Sequence, residues 1–180
     1  MEVAGTVVTG AGMCGLWSPA AFSAVVDLDT WEEALLADDD IAAHVAAGAF
    51  VPLNVGADGA FGVVARVGTV DTPARLTPRE GVHLLVESEP YLFVSAGTAM
   101  LSGIEHVAAD AREGLPMAVP PGRWRVTVAL IEWDAEPGAR DGSGGPGPGA
   151  LPDFVVLAHP DTGAGPYRRS ILTFDQPRAA

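Results

Sequence analysis

The chain contains no lysine; its ten basic residues are all arginine. That absence removes the Walker-A lysine, the kinase ATP-site lysine and any Schiff-base nucleophile from consideration. Cysteine is scarce too. Cys14 is the only one, so no internal disulfide forms, which suits a reducing compartment. The hydrophobic fraction of 48% is inflated by alanine, and no uncharged apolar run approaches the roughly 18 residues that cross a bilayer. The start, Met1-Glu2-Val3-Ala4, lacks the basic flank and apolar stretch of a signal peptide. These absences predict a cytoplasmic protein with no membrane partner.

Carboxylate is what the chain has in surplus. Its 23 acidic residues against ten arginines give a net charge of -13, with a pI near 4.4. Such a field repels phosphate backbones and anionic lipid and attracts basic proteins, so nucleic acid is excluded as a partner. The 180 residues fit one β-rich domain over 1–180, long enough to bury about 70% of the surface its unfolded form exposes.

Glu2 to Thr9 alternates loosely and predicts an opening strand. From Asp29 to Gly48 the signals are helical. Thr30 with Glu33 matches a capping box, and Asp38, Asp39 and Asp40 stand where a second helix begins, which Gly48 ends. The period then changes to two. Val51, Leu53 and Val55, the Asp58-Gly59 turn, and Phe61, Val63, Ala65 and Val67 predict a hairpin. Thr69 to Glu80 reads as a loop, Val82–Glu87 and Tyr91–Ser95 as strands broken at Ser88-Glu89-Pro90.

The clearest strand is Arg123 to Trp133, introduced by Pro120-Pro121-Gly122. Trp124, Val126, Val128 and Leu130 form its core face; the other face mixes arginines with Ala129, Ile131 and Trp133, a pattern that fits partial cover by a helix or loop. Gly/Pro-rich residues at about 136–152 predict a flexible loop. Phe154–Ala158 and Ser170–Phe174 are the final predicted strands, with a frayed tail from Gln176.

Four patterns invite a chemical reading. Gly10-Ala11-Gly12-Met13-Cys14-Gly15 is a literal GxGxxG after the first strand, yet Pro19 interrupts the helix that a dinucleotide site needs, and hairpin signals follow in place of βαβ units. Val25-Val26-Asp27-Leu28-Asp29-Thr30 resembles the nucleophile strand of haloacid-dehalogenase-like phosphatases, in which Asp27 would attack phosphorus and Asp29 serve as general acid. One residue is missing before the threonine, and the later lysine has no counterpart. Asp40 and His44 share a helical face at a ligand spacing, but helix capping beside a solvated histidine accounts for them better, since three consecutive aspartates do not point at one spot on a helix. His83, His106 and His159 lie far apart and form no HxH or HxxxH pair. Cys14 has no basic neighbour to lower its pKa and reads as a buried inert thiol, and no GxSxG elbow occurs.

Gly15-Leu16-Trp17-Ser18-Pro19, the acidic helical stretch, Gly56-Ala57-Asp58-Gly59-Ala60-Phe61 and Pro120-Pro121-Gly122-Arg123-Trp124-Arg125-Val126 follow one another in an order that resembles the competence-protein-J nuclease inhibitors and the immunity proteins of polymorphic toxin systems. The resemblance implies a β-sandwich-like binding protein and carries over no catalytic residue.

The resulting expectation is a mainly β fold, an antiparallel β-sandwich or open barrel with one or two short N-terminal helices. Its function is that of a non-catalytic acidic binding protein, an inhibitor or immunity factor masking a basic nuclease or toxin. Asp27, Asp29, Trp31, Glu32, Glu33, Asp38, Asp39 and Asp40 are its expected partner-binding residues, an acidic surface with an aromatic anchor. No catalytic residue, metal or cofactor is expected. Two other classes stay open. One is an enzyme, metal-assisted through Asp40 and His44 or nucleotide-dependent through the glycine turn; the other is an assembly subunit with Arg123–Trp133 at a subunit contact.

Overall fold

The computed structural model describes residues 1–163 and 165–175; the tail from Gln176 and one residue of the Asp161–Pro166 turn lie outside them. In chain order the elements are β1 (Glu2–Thr9), β2 (Met13–Trp17), α1 (Leu28–Leu35), α2 (Asp38–Ala47), β3 (Phe50–Asn54), β4 (Gly59–Val67), α3 (Pro78–Val82), β5 (Leu84–Glu87), β6 (Tyr91–Gly103), β7 (Leu115–Ile131) and β8 (Phe154–Pro160). Short 3₁₀ turns follow β2, β6 and β7. The strands join in one eight-stranded sheet of order β1-β4-β8-β7-β6-β2-β3, with β5 beside β7. The mainly β expectation, with two short helices near the N-terminus, is borne out. The sheet is mixed, however, because β8 enters between β4 and β7 and runs parallel to β4.

The expected hairpin across Asp58-Gly59 does not form. β3 pairs with β2, from Met13↔Asn54 to Trp17↔Phe50, while β4 pairs with β1, from Glu2↔Arg66 to Thr9↔Gly59, so the two strands lie at opposite ends of the sheet path. The Gly12 carbonyl accepts from Val55 N (3.1 Å) and Gly56 N (2.8 Å) and ties the end of β3 to the β1–β2 connection. β3 is also buried at four of its five residues, a pattern that a half-solvated hairpin arm does not show.

The helix signals hold with one shift. The capping box of α1 lies three residues upstream of the expected pair: Asp27 Oδ1 accepts from Thr30 N (2.9 Å), and Thr30 Oγ1 accepts from Asp27 N (3.1 Å). α2 begins at the triple aspartate and ends at Gly48, whose φ of 77° is the left-handed conformation that glycine adopts freely. The predicted loop Thr69–Glu80 instead ends in α3. Thr77, with Pro78 at the first helical position and Glu80 at the third, forms a second capping box, and β5 therefore starts at Leu84.

β6 and β7 are longer than predicted and form the main hairpin. Pro120, Pro121 and Gly122 lie inside β7, opposite a register shift between Ser95 and Gly97. Prolines donate no ladder hydrogen bond, and the bulge supplies a substitute: Ser95 Oγ donates to Val119 O (2.6 Å) and accepts from Gly97 N (3.0 Å). The two faces of β7 serve two cores. Trp124, Val126 and Val128 belong to the large one; Ala129 and Ile131 pack with Leu151, Val155 and Leu157 under Leu76 and Trp133. The second apolar face, on which the assembly-subunit reading relied, is thus covered within the chain.

Ser170–Phe174 is not a strand but a run of bends laid along β3. One hydroxyl replaces a backbone ladder there: buried Thr173 Oγ1 donates to Pro52 O (2.8 Å) and accepts from Asn54 N (2.7 Å). Residues 136–152 form no strand, and Arg79 spans their two ends, bonded to Glu136 (2.7 and 2.5 Å) and to Gly149 O (2.8 Å).

Two contacts fix the framework. The Gly15 Cα lies under the Phe50 ring, so closely that a Cβ there would meet ring carbons at 2.2 Å. Glu80, 3% exposed, receives Arg66 Nη1 and Nη2 at 2.7 and 2.8 Å and Thr77 N at 2.7 Å, while Arg66 Nε reaches Glu2 (2.6 Å). Burial acts to raise the Glu80 pKa, but the hydrogen bonds from Arg66 and Thr77 together outweigh it and hold the carboxyl below its ordinary range.

Gly15→Ala is therefore expected to cost about 1–3 kcal/mol of stability through forced overpacking, read as a lower urea midpoint. Gly81→Ala, open on the surface of α3, is neutral or slightly stabilising in the same assay. Glu80→Gln is expected to cost about 3 kcal/mol at neutral pH. Because the folded pKa is depressed, the stabilisation is full above the unfolded carboxyl pKa. It disappears as pH falls through the folded one, so the gap between wild type and variant closes in acid.

Candidate partner-binding face

Charge is distributed unevenly along the chain. Nine of the 23 acidic residues and none of the ten arginines fall within residues 1–65. Seven acids form ion pairs with arginine: Glu2 and Glu80 with Arg66, Glu136 with Arg79, Asp110 with Arg112, Asp134 with Arg140, Asp161 with Arg123, Asp175 with Arg168. Among the described residues no ion pair reaches Asp27, Asp29, Glu32, Glu33, Asp38, Asp39 or Asp40, and all seven are exposed. The structure brings them together on the short α1–α2 pair, joined only by Leu36 and Ala37. Asp29 sits in the first turn of α1 and Asp38–Asp40 in that of α2, where partly positive helix ends favour carboxylates without neutralising them.

Trp31 has a divided role. Its Nε1 donates to Ile104 O (3.0 Å) and the ring packs partly on the core, yet the residue is only half-buried. It borders a cleft of 360 Å³ between α1 and the turn after β6, floored by Val25 and Val107 and walled by Val26, Leu28 and Ala108. Asp27 and Glu105 stand on its rim. Val26 and Leu28 are 66% and 67% exposed, so the surface mixes uncovered apolar groups with unpaired carboxylates. Sequence reasoning missed Val26, Leu28 and Glu105 as members of this face. Val26 and Leu28 flank the capping residue off the core side of the helix; Glu105 lies 78 residues beyond Asp27, and the pairing of β6 with β2 brings it near.

The patterns that suggested enzymes have structural occupants. Gly10 N donates to Glu105 Oε1 (2.6 Å) and Thr9 Oγ1 donates to Glu105 Oε2 (3.0 Å), so a carboxylate of the chain itself holds the glycine turn. Gly15 lies within β2 and no helix follows it at once. Asp27 caps α1, and the Thr30 hydroxyl and amide hold its pKa below the usual range. His44 packs against Phe22 in a tilted contact, ring centroids 4.6 Å apart and planes at 45°. Burial lowers its pKa, against the opposing pull of an Ala34 backbone hydrogen bond and Asp40. Among the described residues no three His, Cys, Asp or Glu side chains converge as a metal site would need, and no helix is long and apolar enough to cross a membrane. Burial first, and Glu105 second, push the Cys14 thiol up to about 12, which suppresses the reactive thiolate.

Solved structures share this architecture. The protein titled "Crocagin biosynthetic gene J" aligns over 89% of this chain and 96% of its own, with a TM-score of 0.59 and 18% identity. ComJ has the same fold. That protein, the inhibitor of the DNA-degrading activity of NucA from Bacillus subtilis, aligns over 88% of this chain and 96% of its own, with a TM-score of 0.52 and 9% identity. No family profile matches the chain, and no curated protein matches it in sequence. The resemblance to competence-protein-J-like inhibitors is therefore borne out as a likeness of fold.

His44 gives the face a pH dependence. Its folded pKa lies below the unfolded value, so the unfolded chain binds the proton first and stability falls as pH drops through the unfolded pKa toward the folded one. His159, also lowered chiefly by burial, adds to the same slope. Lowering the pH from about 7.5 to about 5.5 is expected to reduce the urea midpoint, and His44→Gln to remove part of that loss.

Proposed function

We propose that this chain is a non-catalytic inhibitor that masks a basic protein, a DNA-degrading nuclease being the favoured class, through the α1–α2 face. One observation carries the reading: among the described residues all seven carboxylates of this face are exposed and none has an ion-pair partner, whereas seven of the 16 acids elsewhere are paired with arginine. The likeness in fold to ComJ, whose printed role is inhibition of a nuclease, supports it. Asp27, Asp29, Glu32, Glu33 and Asp38–Asp40 supply the field that steers a cationic surface, and Trp31 supplies an anchor beside exposed Leu28. Such a partner would itself need a basic patch to grip DNA, and covering that patch blocks the substrate without any chemistry by the inhibitor.

The decisive assay screens the products of neighbouring genes for DNA degradation and follows that degradation as the purified chain is added. Inhibition at low salt that weakens as salt rises is the expected result; undiminished degradation with excess chain at low salt overturns the reading. The triple variant Asp38→Asn, Asp39→Asn, Asp40→Asn is expected to slow association roughly tenfold at low ionic strength, with less effect on dissociation. Stopped-flow mixing measures both rates.

A further inference from the structure

We infer that the cleft between α1 and the turn after β6 is a preformed pocket for one arginine side chain of the basic partner. This rests on the inhibitor reading and names the group that the face grips. Two hydrogen bonds hold the cleft open without a ligand: Trp31 Nε1 to Ile104 O (3.0 Å), and Ala109 N to Val25 O (2.7 Å), which ties the turn to the segment entering α1. The two walls are thus tied to each other across the cleft, so the pocket needs little ordering when it is filled.

Its chemistry matches arginine along the length of the side chain. Val25, Val107 and Leu28 offer apolar surface for the methylene stem. The half-buried indole of Trp31 offers a ring on which a planar cation stacks. At the rim stand the carboxylates of Asp27 and Glu105, each with unused acceptor capacity. Asp27 makes its cap through Oδ1, and Glu105 accepts one hydrogen bond on each oxygen. A guanidinium fits this mixture better than an ammonium, since it is planar and gives up hydration more readily. An uncharged apolar side chain would leave both carboxylates unused, and an anion is repelled by the net charge of -13.

The test titrates the full-length chain with four capped tripeptides whose central residue is arginine, lysine, citrulline or norleucine, following the Trp31 indole N–H signal by NMR. The expected result is saturable shifts with arginine, weaker ones with lysine, and none with citrulline or norleucine. Asp27→Asn keeps a competent cap and is expected to weaken the arginine response; Ala108→Phe, which fills the cleft from an exposed turn, abolishes it. In the nuclease assay Ala108→Phe is expected to weaken inhibition about thirtyfold, the size of a single hot spot. Norleucine binding as well as arginine, or no indole response to any peptide, overturns the arginine pocket. If inhibition still persists with Ala108→Phe, the inhibitor reading survives on the acidic face alone. If arginine binds as described and the nuclease is untouched, the inhibitor reading fails and the pocket stands.

Discussion

The sheet holds together through one late strand. β8 is hydrogen-bonded to β4 on one side and β7 on the other, and among the described residues no other strand pairing joins the β1–β4 ribbon to the remaining strands. Its seven residues are buried at five positions, with Phe154 and Val156 facing the large core and Val155 and Leu157 the small one. A strand with two apolar faces belongs in the interior of a sheet covered on both sides, which is where β8 lies, between β4 and β7. Folding must therefore wait for contacts that close most of the chain, a topology associated with slow folding. The Arg66–Glu80–Glu2 network contributes at the far end, where α3, β4 and the first residues of β1 meet.

The same framework places the candidate face. α2 packs against β3 and β6, with the Gly48 carbonyl accepting from Val94 N (2.7 Å), so the helices are anchored at the end of the path opposite β1. The β6–β7 hairpin then folds its connecting turn back to meet Val25 and Trp31, and the reach of Glu105 to Thr9 and Gly10 fixes that turn to the β1–β2 connection. Three segments remote in sequence thereby contribute to one surface, in which charge comes from the helices and shape from the turn. Exposed carboxylates alone give fast but indiscriminate attraction; under the proposed function the apolar recess beside them is what would add selectivity.

Much of the secondary structure was legible because its signals are local. β1, the start and end of α2, and the break at Ser88–Pro90 follow from alternation, dipole-favouring acids, a terminal glycine and proline. The capping box Thr77–Glu80 was equally legible, yet Pro73 and Pro78 drew the eye to a loop. Pairing was not legible. Val51, Leu53 and Val55 show the same alternation whether they meet β4 or β2, and only burial on both faces separates the two outcomes. The acidic residues of the candidate face could be named from sequence because charge is a property of residues. The cleft could not, since its floor joins Val25 to Val107 across a hairpin whose length the prolines of β7 disguised.

The bends along β3 have an effect on what the molecule avoids. An outermost strand normally offers a row of vacant amides and carbonyls to any other extended chain, the route by which sheets recruit copies of themselves. Here Thr173 occupies the Asn54 amide and the Pro52 carbonyl with a single oxygen, and Pro52 has no amide to offer. A border finished by a side chain gives a growing fibril no template, so the chain carries a safeguard against self-polymerisation at that rim, independent of its charge.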